Sequence, residues 1–537
     1  MKHRLLAAPL FLLAVAALVA NRAFAQDAGV RLGLSYPRGT NPTVVVMPVE
    51  SSSPGDSVRT ILERDFEFSD RIRPLVLDVV TLQGLMPRKN GEYNYALFAK
   101  FGAAAVIQPT RTATGIKVGL YDVAAKKLLQ SAEFTMPRIP RPHLAEQRDS
   151  LRRVLTVDDE IARDSARVVF QSEARAKLRV NPNDKRNRRF IVRDSIARDS
   201  AIRTEVRSRL NEFNQARDAQ VQKTMEPILR SLSFADSMVR ATGEGNMRMA
   251  IHGISDEVER WITGKRGIAQ TRIAYVHDGK IRVVDSDGAN DVPVTHSGLS
   301  LSPSWSPDAS SLVYSTLSDR GSQIGVVNVN TGQQSILATA SSGLNITPVF
   351  TPDGRAVVYA TGKDQGTNIV RADIASGSVT PLTVANNRGD NASPTFSPDG
   401  RRIAFLSSRA RYPQIYAMDA DGSNVELMTP YNPSVRSYRT APEWSPDGRS
   451  IAYEQQNGDF QVWVVNVRDK EMRRLTSLGE NEGPTWAPDA RHIAISSTRS
   501  GSKQIWILDT FSGQFRQLTR NPGARLATWS PLIRVAP

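Results

Sequence analysis

The chain has 537 residues, a formal net charge of +15 at pH 7 and no cysteine. A chain of this length is expected to form two or more domains. The missing cysteines exclude disulfide bonds, thiolate metal sites and cysteine nucleophiles.

Residues 1–25 have the composition of an export signal. A positive start is followed by an almost wholly apolar run at 5–20, and the triplet Ala-Phe-Ala that ends at Ala25 is a typical cleavage site. We therefore expect the mature chain to begin at Gln26 and to be exported as a soluble protein. The alternative is an uncleaved anchor, but the apolar run is short and rich in alanine, so stable membrane insertion is not expected.

A small α/β domain is expected after a polar N-terminal arm at residues 26–41. It comprises residues 42–136 and, after an insertion, residues 245–268. In this region apolar runs of strand type alternate with segments that have apolar residues at helical spacing. The predicted strands are Thr43–Val49, Arg71–Asp78, Ala104–Arg111, Gly115–Tyr121 and Lys127–Phe134, and the predicted helices are Pro54–Phe66, Tyr93–Phe101 and Met247–Gly264.

The insertion, residues 137–244, differs in kind because it is dense in arginine, aspartate, glutamate and serine. Its apolar residues recur three and four positions apart, and acidic and basic residues alternate, a pattern typical of long helices with solvated charged faces. A helical hairpin with its turn at Asn181–Asp184 fits this pattern. Although a basic surface can bind nucleic acid, charges of mixed sign favour a simple soluble face, so no nucleic-acid partner is expected.

A repeated motif of the type SPSWSPD organises residues 269–537. Each copy has an aromatic residue before a proline, and that proline recurs at steps of 45, 46, 48, 42 and 43 residues. Three further strand-like segments follow each of the first five copies, and a period near 45 with four strands is typical of a propeller blade. The six copies are Ser302–Asp308, Thr347–Gly354, Ser393–Gly400, Ala441–Gly448, Gly483–Ala490 and Ala527–Pro531.

The two ends of the repeat region complement each other. Thr271–Thr295 holds three strand-like segments without a motif strand before them, and Ala527–Pro531 supplies a motif strand without the other three. Pairing these pieces completes a sixth blade and removes the exposed edge of an open ring. The sequence thus predicts a multidomain protein with a small N-terminal α/β domain, a charged helical insertion and a C-terminal six-bladed β-propeller with four-stranded blades. The alternative for the repeats is an open β-solenoid.

The turn chemistry of the motif explains its repeated aspartates. Proline presets φ, aspartate accepts hydrogen bonds from backbone N–H groups ahead of it, and glycine tolerates a positive φ. Two copies have Ala309 and Ala490 at the glycine position, where we expect a different turn geometry or a little strain. The aspartates are therefore expected to be structural residues.

The sequence contains no motif that indicates an enzyme. It lacks G-x-S-x-G, the Walker loop and H-E-x-x-H, and its six histidines have no ligand partner at metal spacing. The segments Asp285–Gly288 and Asp419–Gly422 resemble the start of a calcium loop, but both lack the acidic twelfth position and fit hairpin turns. We expect a binding scaffold with no catalytic residues, no metal and no cofactor.

The loops that lead into the inner strand of each blade gather around one mouth of the propeller and carry polar side chains. A polar ring on a rigid scaffold suits the capture of a peptide or protein. The simpler alternative is that each is a solvated loop residue. The candidate partner-binding residues are His296, with Ser300 beside it, Asn345, Asn391, Arg439, Glu482 and Arg525.

The chain resembles the TolB family, the periplasmic components of the Tol–Pal system of double-membrane bacteria. The resemblance lies in the signal peptide, the small α/β domain, the join SDEVERWITGKRGIAQTRIAYV at Ser255–Val276, and SPDG-type repeats that end in TWSP. It covers residues 26–137 and 247–537, and the charged insertion has no counterpart in the family pattern.

This resemblance implies a periplasmic scaffold that binds the peptidoglycan-associated lipoprotein Pal at the propeller funnel. It also implies that the N-terminal arm reaches the inner-membrane-anchored TolA, in a system that maintains the outer membrane and helps to constrict it during cell division. His296 lies in the loop where the family places partner contacts. The alternatives are an exported propeller that binds a glycan or senses a small ligand, and a peptidase, which would need a further α/β-hydrolase domain.

Overall fold

The computed structural model describes residues 34, 36, 40–49, 57–87, 92–137, 162–174, 188–296, 298–318, 321–337, 343–362, 366–384, 389–432, 434 and 436–534. The predicted export signal, its cleavage site and most of the arm lie outside the described residues, as does the predicted turn at Asn181–Asp184. The chain divides into two compact units, Met1–Pro137 with Gly245–Pro537, and Arg138–Glu244. None of the helices in the described part of the chain combines the length and apolar character needed to cross a membrane.

A five-stranded sheet forms the centre of the α/β domain. Its strands are β1 (Thr43–Val46), β2 (Arg73–Pro74), β3 (Ala105–Arg111), β4 (Gly115–Asp122) and β5 (Lys127–Thr135). The helices that pack on it are α1 (Ser57–Phe68), α2 (Val79–Leu85), α3 (Tyr95–Lys100) and the C-terminal turns of α4 (Arg188–Thr263). The strand order is β2-β1-β3-β4-β5. β1 pairs in parallel with β2 and β3, whereas β3, β4 and β5 form an antiparallel meander.

The two faces of this sheet bury two separate apolar cores. Val44 and Val46 contribute to a core that is covered by α1 and by the C-terminal turns of α4. Val45 and Met47 contribute to the opposite core, which α2 and α3 cover. This division follows from the period of two in a strand, which sends successive side chains to opposite faces. The residues that α4 contributes to the first core are Ile254, Val258, Trp261 and Ile262.

The segment after α1 differs from the prediction. The sequence predicts a strand at Arg71–Asp78, but β2 has only two residues and the chain then enters α2. Asp78 begins this helix, since its carboxylate accepts hydrogen bonds from the backbone N–H of Thr81 at 2.9 Å and from the Thr81 hydroxyl at 2.7 Å. Such a cap stabilises a helix start by about 1 kcal/mol, and Pro74 supplies no donor to lengthen the strand.

α4 begins much earlier than the sequence predicts. The expected helix Met247–Gly264 is the last part of a helix that begins at Arg188. The glycines just before Met247 do not break it, because a glycine inside a helix costs only about 1 kcal/mol relative to alanine.

The second unit is helical in its described part. Residues 162–174 form a helix that packs antiparallel to α4. An Arg163 guanidinium N–H donates to the Asp218 carboxylate at 2.5 Å, and the rings of Phe170 and Phe213 meet edge to face with centroids 6.1 Å apart. Here the predicted charged helices pair opposite charges with each other.

Six four-stranded sheets form the propeller, as the sequence predicts. Its first fifteen strands are β6 (Arg272–His277), β7 (Lys280–Asp285), β8 (Val292–Pro293), β9 (Leu299–Trp305), β10 (Ser311–Ser318), β11 (Gly321–Asn328), β12 (Gln334–Ile336), β13 (Leu344–Phe350), β14 (Ala356–Gly362), β15 (Thr367–Asp373), β16 (Val379–Pro381), β17 (Asn391–Phe396), β18 (Arg402–Ser407), β19 (Gln414–Asp419) and β20 (Glu426–Leu427). The others are β21 (Tyr438–Trp444), β22 (Ser450–Asn457), β23 (Asp459–Asn466), β24 (Met472–Arg474), β25 (Asn481–Trp486), β26 (His492–Ser497), β27 (Gln504–Asp509), β28 (Phe515–Gln517) and β29 (Arg525–Trp529).

Blades 1 to 5 each consist of four consecutive strands, starting with β9, β13, β17, β21 and β25, and blade 6 has the order β29-β6-β7-β8. The first strand of each blade lies innermost and contacts the innermost strands of both neighbouring blades, so the ring is closed. In blade 6, Trp529 pairs with Ile273 and Thr528 pairs with Ala274. The predicted closure by the two ends of the repeat region is therefore confirmed.

Apolar layers between neighbouring blades hold the ring together. The motif aromatic residues belong to these layers: Trp305 packs between blades 6 and 1, Trp444 between blades 3 and 4, and Trp529 between blades 5 and 6. Burying a side chain of this size removes roughly 150–250 Å² of apolar surface from water. The aromatic residue recurs in the sequence because each blade uses it to pack against its neighbour.

Each inner strand contains one residue in the left-handed region, at the first position of the motif or its equivalent. The pairing register shifts at this point in all six blades. Only one of the six is a glycine, so the other five hold a conformation that costs an L-residue roughly 1 kcal/mol. The residues and their φ values are Ser302 (50°), Thr347 (49°), Ser393 (51°), Ala441 (47°), Gly483 (55°) and Leu526 (52°).

Candidate partner-binding site at the mouth of the propeller

The propeller has two different faces. On one face, which we call the mouth, loops lead into the inner strands and connect the second strand of each blade to the third. The opposite face, which we call the turn face, carries the Pro-Asp turns. The α/β domain contacts the turn face near blades 5 and 6, through pairs such as Arg71 with Asp489 and Arg248 with Asp287. The α/β domain therefore leaves the mouth available to a partner.

The turn-face aspartates are held by their own turns, as predicted. The Ser306 hydroxyl donates to Asp308 at 2.6 Å, and the Thr351 hydroxyl donates to Asp353 at 2.6 Å. These hydrogen bonds lower the pKa of both carboxyls. Ala309 and Ala490 have φ values of 57° and 54°, so both turns carry the strain that the sequence predicts.

Asp489 on blade 5 has a different role, because Ala487 replaces the serine or threonine of the other turns. Its Oδ2 accepts from Nη2 of Arg71 at 2.8 Å and lies 2.8 Å from Nδ1 of His492. Burial works to raise the pKa of Asp489, but the hydrogen bond and charge of His492 and the charge of Arg71 outweigh it and lower the pKa to about 2. Asp489 is thus an ionised contact between the two domains.

A second buried ion cluster joins α1, α4 and blade 6. Nδ1 of His252 lies 2.8 Å from Oδ2 of Asp65, and the Ser255 hydroxyl donates to the same carboxylate. Arg248 pairs with Asp287 on the turn face of blade 6. Burial works to lower the pKa of His252, but the charge and hydrogen bond of Asp65 outweigh it and raise the pKa. Paired charges therefore make up both of the clusters that join the two domains here.

Within the described part of the chain, two groups have carboxylate and imidazole atoms close enough to hold a metal ion. They are Asp65 with His252 and Asp287, and Asp70 with His492 and Asp509. A cation already serves each group, since Arg248 pairs with Asp287 and Arg491 pairs with Asp509 at 2.6 Å. We interpret both groups as ion-pair networks of the domain contact.

Two of the predicted mouth residues are buried and link neighbouring blades. Nδ2 of Asn345 donates to the Ser322 carbonyl of the preceding blade at 2.8 Å, while its Oδ1 accepts from the Thr361 hydroxyl at 2.8 Å. Nδ2 of Asn391 donates to the Thr367 carbonyl of the preceding blade at 3.4 Å, while its Oδ1 accepts from the Ser407 hydroxyl at 2.8 Å. A buried amide with such partners stabilises the blade contact, because removing it would strand polar atoms away from water.

Arg439 is buried at the equivalent position of blade 4. Its Nη1 donates to Oε1 of Gln414 at 2.9 Å and to the Pro430 carbonyl at 2.6 Å, and its Nε donates to Oε1 of Gln455 at 2.9 Å. Burial lowers the pKa of the Arg439 guanidinium. Arg439 thus ties blade 3 to blade 4 from inside the mouth.

The remaining predicted residues are more accessible. His296 and Arg525 are exposed, and Glu482 is half-buried with its carboxylate 2.7 Å from Nζ of Lys503. Ser300, next to the His296 loop, is buried, and its hydroxyl has no hydrogen-bond partner among the described residues. Whether any of the six residues contacts a partner stays a prediction.

The sequence reading missed an exposed apolar set around the mouth. Two members start inner strands, two lie in loops that lead into inner strands, and Leu317 lies near the end of the second strand of blade 1. A leucine or valine inside an otherwise polar loop was the signal that could have identified them, since such loops are normally polar. They are, with their exposed fractions, Leu299 (37%), Leu317 (54%), Leu344 (44%), Val384 (75%) and Leu478 (66%).

Two carboxyl groups near the centre of the propeller were also missed. Burial raises the pKa of Glu443 to about 7, although a hydrogen bond with Thr485 works in the opposite direction. Burial also raises the pKa of Glu454, against the hydrogen bonds that it accepts from the Thr440 hydroxyl and the Gly483 N–H. Nothing in their local sequence signals this desolvation, which arises from the closed ring.

Comparisons with known proteins agree with this architecture. A family model described as the TolB beta propeller domain matches residues 259–533. The Tol-Pal system protein TolB of Actinobacillus succinogenes is 40% identical over 98 residues, which are 17% of this chain and 23% of that protein. The counterpart from Anaplasma marginale is 38% identical over 100 residues, again 17% of this chain and 23% of the relative. The chain thus aligns with about a quarter of the length of these curated relatives.

A solved structure gives a wider match in fold. The crystal structure of TolB from Acinetobacter baumannii superposes with a TM-score of 0.60 and 19% identity, covering 92% of this chain and 97% of that one. This match supports the arrangement of a small α/β domain with a six-bladed propeller.

Proposed function

The chain belongs to the TolB beta propeller family, and on that premise we propose that it is a non-enzymatic periplasmic scaffold of the Tol–Pal system. In this proposal the mouth of the propeller binds a Pal-like, peptidoglycan-associated lipoprotein. The N-terminal arm at residues 26–41 reaches a TolA-like inner-membrane protein. The assembly supports outer-membrane integrity and constriction of the envelope during cell division.

The exposed apolar set of the mouth carries this proposal. Leu344, Val384 and Leu478 are 44%, 75% and 66% exposed and come from different parts of the ring. Apolar side chains on the surface of a rigid scaffold, with polar residues around them, are typical of protein–protein contact sites. The accessible polar residues His296, Glu482 and Arg525 would form part of the polar rim.

Binding should be measured with the mature chain and the soluble domain of the Pal-like lipoprotein from the same organism. We expect saturable binding by isothermal titration calorimetry, and we expect Leu344→Asp and Leu478→Asp each to weaken it about tenfold, the usual effect of losing one central anchor. Ile336→Asp is the matched control, since Ile336 is 52% exposed on the outer strand β12. Absence of binding by the unchanged protein would refute the proposal.

The proposed role of the arm needs its own experiment. A chain that lacks residues 26–33 keeps Leu34, which packs against the core of the α/β domain. We expect this shortened protein to bind the lipoprotein domain normally and to lose binding to the soluble domain of a TolA-like protein. Unchanged binding to the TolA-like domain would show that residues 26–33 are not its site.

A further inference from the structure

We propose that an arginine–tyrosine patch on the mouth, between blades 3 and 4, binds an acidic segment of the partner protein. The patch consists of Arg409, Arg411, Tyr412, Arg436 and Tyr438. This inference rests on the proposed function, because it names the chemistry by which a partner docks at the mouth. The patch lies on the same face of the propeller as the exposed apolar set. It adjoins the predicted polar ring, since Nη2 of Arg409 donates to Oδ1 of Asn391 at 3.2 Å.

The charge of the patch comes from two short loops. Residues 408–413 and 430–439 together contain four arginines, three tyrosines and no aspartate or glutamate. The loops touch, since the backbone N–H of Arg439 donates to the Pro413 carbonyl at 2.9 Å and Nε2 of Gln414 donates to the Ser437 carbonyl at 3.0 Å. They therefore form one surface with an excess of positive charge.

The charge of this surface is not neutralised from within the described residues. Arg409, Arg411 and Arg436 are exposed, and none of them forms an ion pair with a described carboxylate. At the mouth of blade 5 the situation is different, because Lys503 lies 2.7 Å from Glu482 and 3.6 Å from Glu480. An exposed cluster of like charge costs stability through repulsion, and a partner of opposite charge removes that cost.

Aromatic rings hold two of the guanidinium groups in place. The Arg411 guanidinium lies 5.5 Å from the centroid of the Tyr412 ring, and the Arg436 guanidinium lies 5.2 Å from that of Tyr438. The two tyrosine rings meet edge to face with centroids 5.7 Å apart. Nε and Nη2 of Arg436 also donate to the Tyr438 hydroxyl oxygen, at 3.1 and 2.9 Å. Because stacking fixes the groups before binding, less side-chain entropy is lost when a ligand arrives.

The backbone supports the same arrangement. Arg411 has a φ of 81°, a conformation that is unfavourable for a residue with a side chain, and its N–H donates to the Ser408 carbonyl at 3.2 Å. The tight turn places Arg411 and Tyr412 against the loop that carries Tyr438. A strained residue is retained only where the surrounding structure holds it, and such residues are common at binding sites.

The chemistry of the patch favours carboxylates on a protein. A guanidinium presents paired N–H donors that match the two oxygens of an aspartate or glutamate. Tyrosine adds apolar surface with a polar edge, a combination that is enriched in protein interfaces. The combination of guanidinium groups with tyrosine rings therefore fits an acidic protein segment better than a uniform polyanion.

Charge reversal tests the inference. The double variant Arg411→Glu with Arg436→Glu should bind the Pal-like lipoprotein domain at least about tenfold more weakly than the unchanged protein. It should also lose most of the difference in affinity between about 50 mM and about 300 mM NaCl, since salt screens attraction between opposite charges. The double variant Arg411→Gln with Arg436→Gln should give an intermediate affinity. All measurements use the full mature chain, and circular dichroism and thermal unfolding check that each variant is folded.

The matched control is the double variant Arg355→Glu with Arg401→Glu, which reverses two exposed arginines on the turn face of blades 2 and 3. We expect its affinity to stay within about twofold of the unchanged protein. If the unchanged protein binds and the patch variants bind equally well, the inference is wrong while the proposed function stands. If the unchanged protein does not bind the lipoprotein domain, the proposed function and the inference are both wrong.

Discussion

Nη2 of Arg71 donates to Oδ2 of Asp489 over 2.8 Å, and this bond joins the α/β domain to the propeller across 418 positions of sequence. Nη1 of the same guanidinium donates to Oε1 of Glu259 at 2.8 Å. Arg71 is therefore a buried cation with one carboxylate partner in each domain.

Removal of Arg71 is expected to destabilise the protein strongly. Arg71→Ala leaves Glu259 and Asp489 buried without their cation, a loss that costs roughly 3–5 kcal/mol in comparable buried pairs. Arg73→Ala is the matched control, because Arg73 is exposed and close by in sequence, so its effect should stay within about 0.5 kcal/mol. The free energy of unfolding from urea denaturation measures both. Equal effects of the two substitutions would contradict the role given to Arg71.

The pH dependence of stability should reflect His492. Its Nδ1 faces Oδ2 of Asp489 at 2.8 Å and its Nε2 faces Oδ2 of Asp70 at 3.3 Å, so both nitrogens can donate only when the ring is protonated. Burial works to lower the pKa of His492, but the hydrogen bonds and charges of Asp489 and Asp70 raise it above 6.5. Other charged groups near the ring are Arg71, Arg491 and Asp509.

The sign of the effect follows from proton binding. A raised pKa in the folded state means that the His492 contribution is complete below about pH 6.5 and is lost as pH rises through the folded-state pKa. Asp489 acts in the opposite sense, since its pKa is about 2 in the folded state. Its contribution is complete well above about pH 4 and is lost as pH falls towards 2.

We therefore expect His492→Gln to flatten the decline in stability as pH rises above about 6.5. Urea unfolding at a series of pH values measures this decline. His252 contributes a decline of the same sign, because its pKa is also raised, so the double variant should be flatter still. The exposed His296 provides the control, and His296→Gln should leave the profile unchanged. A profile that His492→Gln does not alter would contradict the protonated bridge.

Trp529 should be essential for closing the ring. Its side chain is 6% exposed and its Nε1 donates to the Thr271 hydroxyl at 2.8 Å. Trp529→Ala should lower the free energy of unfolding by about 3–5 kcal/mol, the usual cost of deleting a large buried aromatic side chain. It should also make the chain after residue 520 sensitive to limited proteolysis. Phe511→Ala is the control, because Phe511 is 88% exposed; similar losses for both would contradict this assignment.

Asn391 offers a way to separate scaffold from contact residues at the mouth. Its Oδ1 accepts from the Ser407 hydroxyl at 2.8 Å and from Nη2 of Arg409 at 3.2 Å. Asn391→Ala should lower the free energy of unfolding by about 1–3 kcal/mol, because it leaves buried donors unpaired. Below the unfolding temperature, the affinity for the lipoprotein domain should change less than about twofold. A large loss of affinity without a loss of stability would instead show that Asn391 supports the partner contact, either directly or by positioning Arg409.

The propeller could be predicted from local chemistry because its repeat is local. Pro307 and Asp308 define a turn, Trp305 defines the buried end of a strand, and the spacing of the copies defines the blade. Even the strain at Ala309 follows from the residue type at a known turn position. The predicted strand at Arg71–Asp78 was too long, because Asp78 instead caps the short helix α2. A weak local preference for strand competes there with a weak local preference for helix.

The contacts that define the site could not be predicted in the same way. Asn345 and Asn391 look like solvated loop residues, yet both are buried because the neighbouring blade lies against them. The stacking of Arg436 on Tyr438 could be guessed from their spacing, but the contact with Tyr412 depends on the meeting of two blades. Burial and partner choice at these positions are properties of the closed ring, which no single stretch of sequence encodes.

Blade 6 combines strands from the two ends of the propeller, and this assembly constrains the order of folding. Its inner strand β29 pairs with β6, and the bond between Trp529 and Thr271 spans 258 positions. During synthesis, the edge of β6 that pairs with β29 therefore stays open until almost the whole propeller has been made, and edges of this kind invite association with other chains. Contacts of such long range also slow folding. We therefore expect closure of the ring to come late in folding, and any delay before it leaves the unfinished propeller open to aggregation and proteolysis.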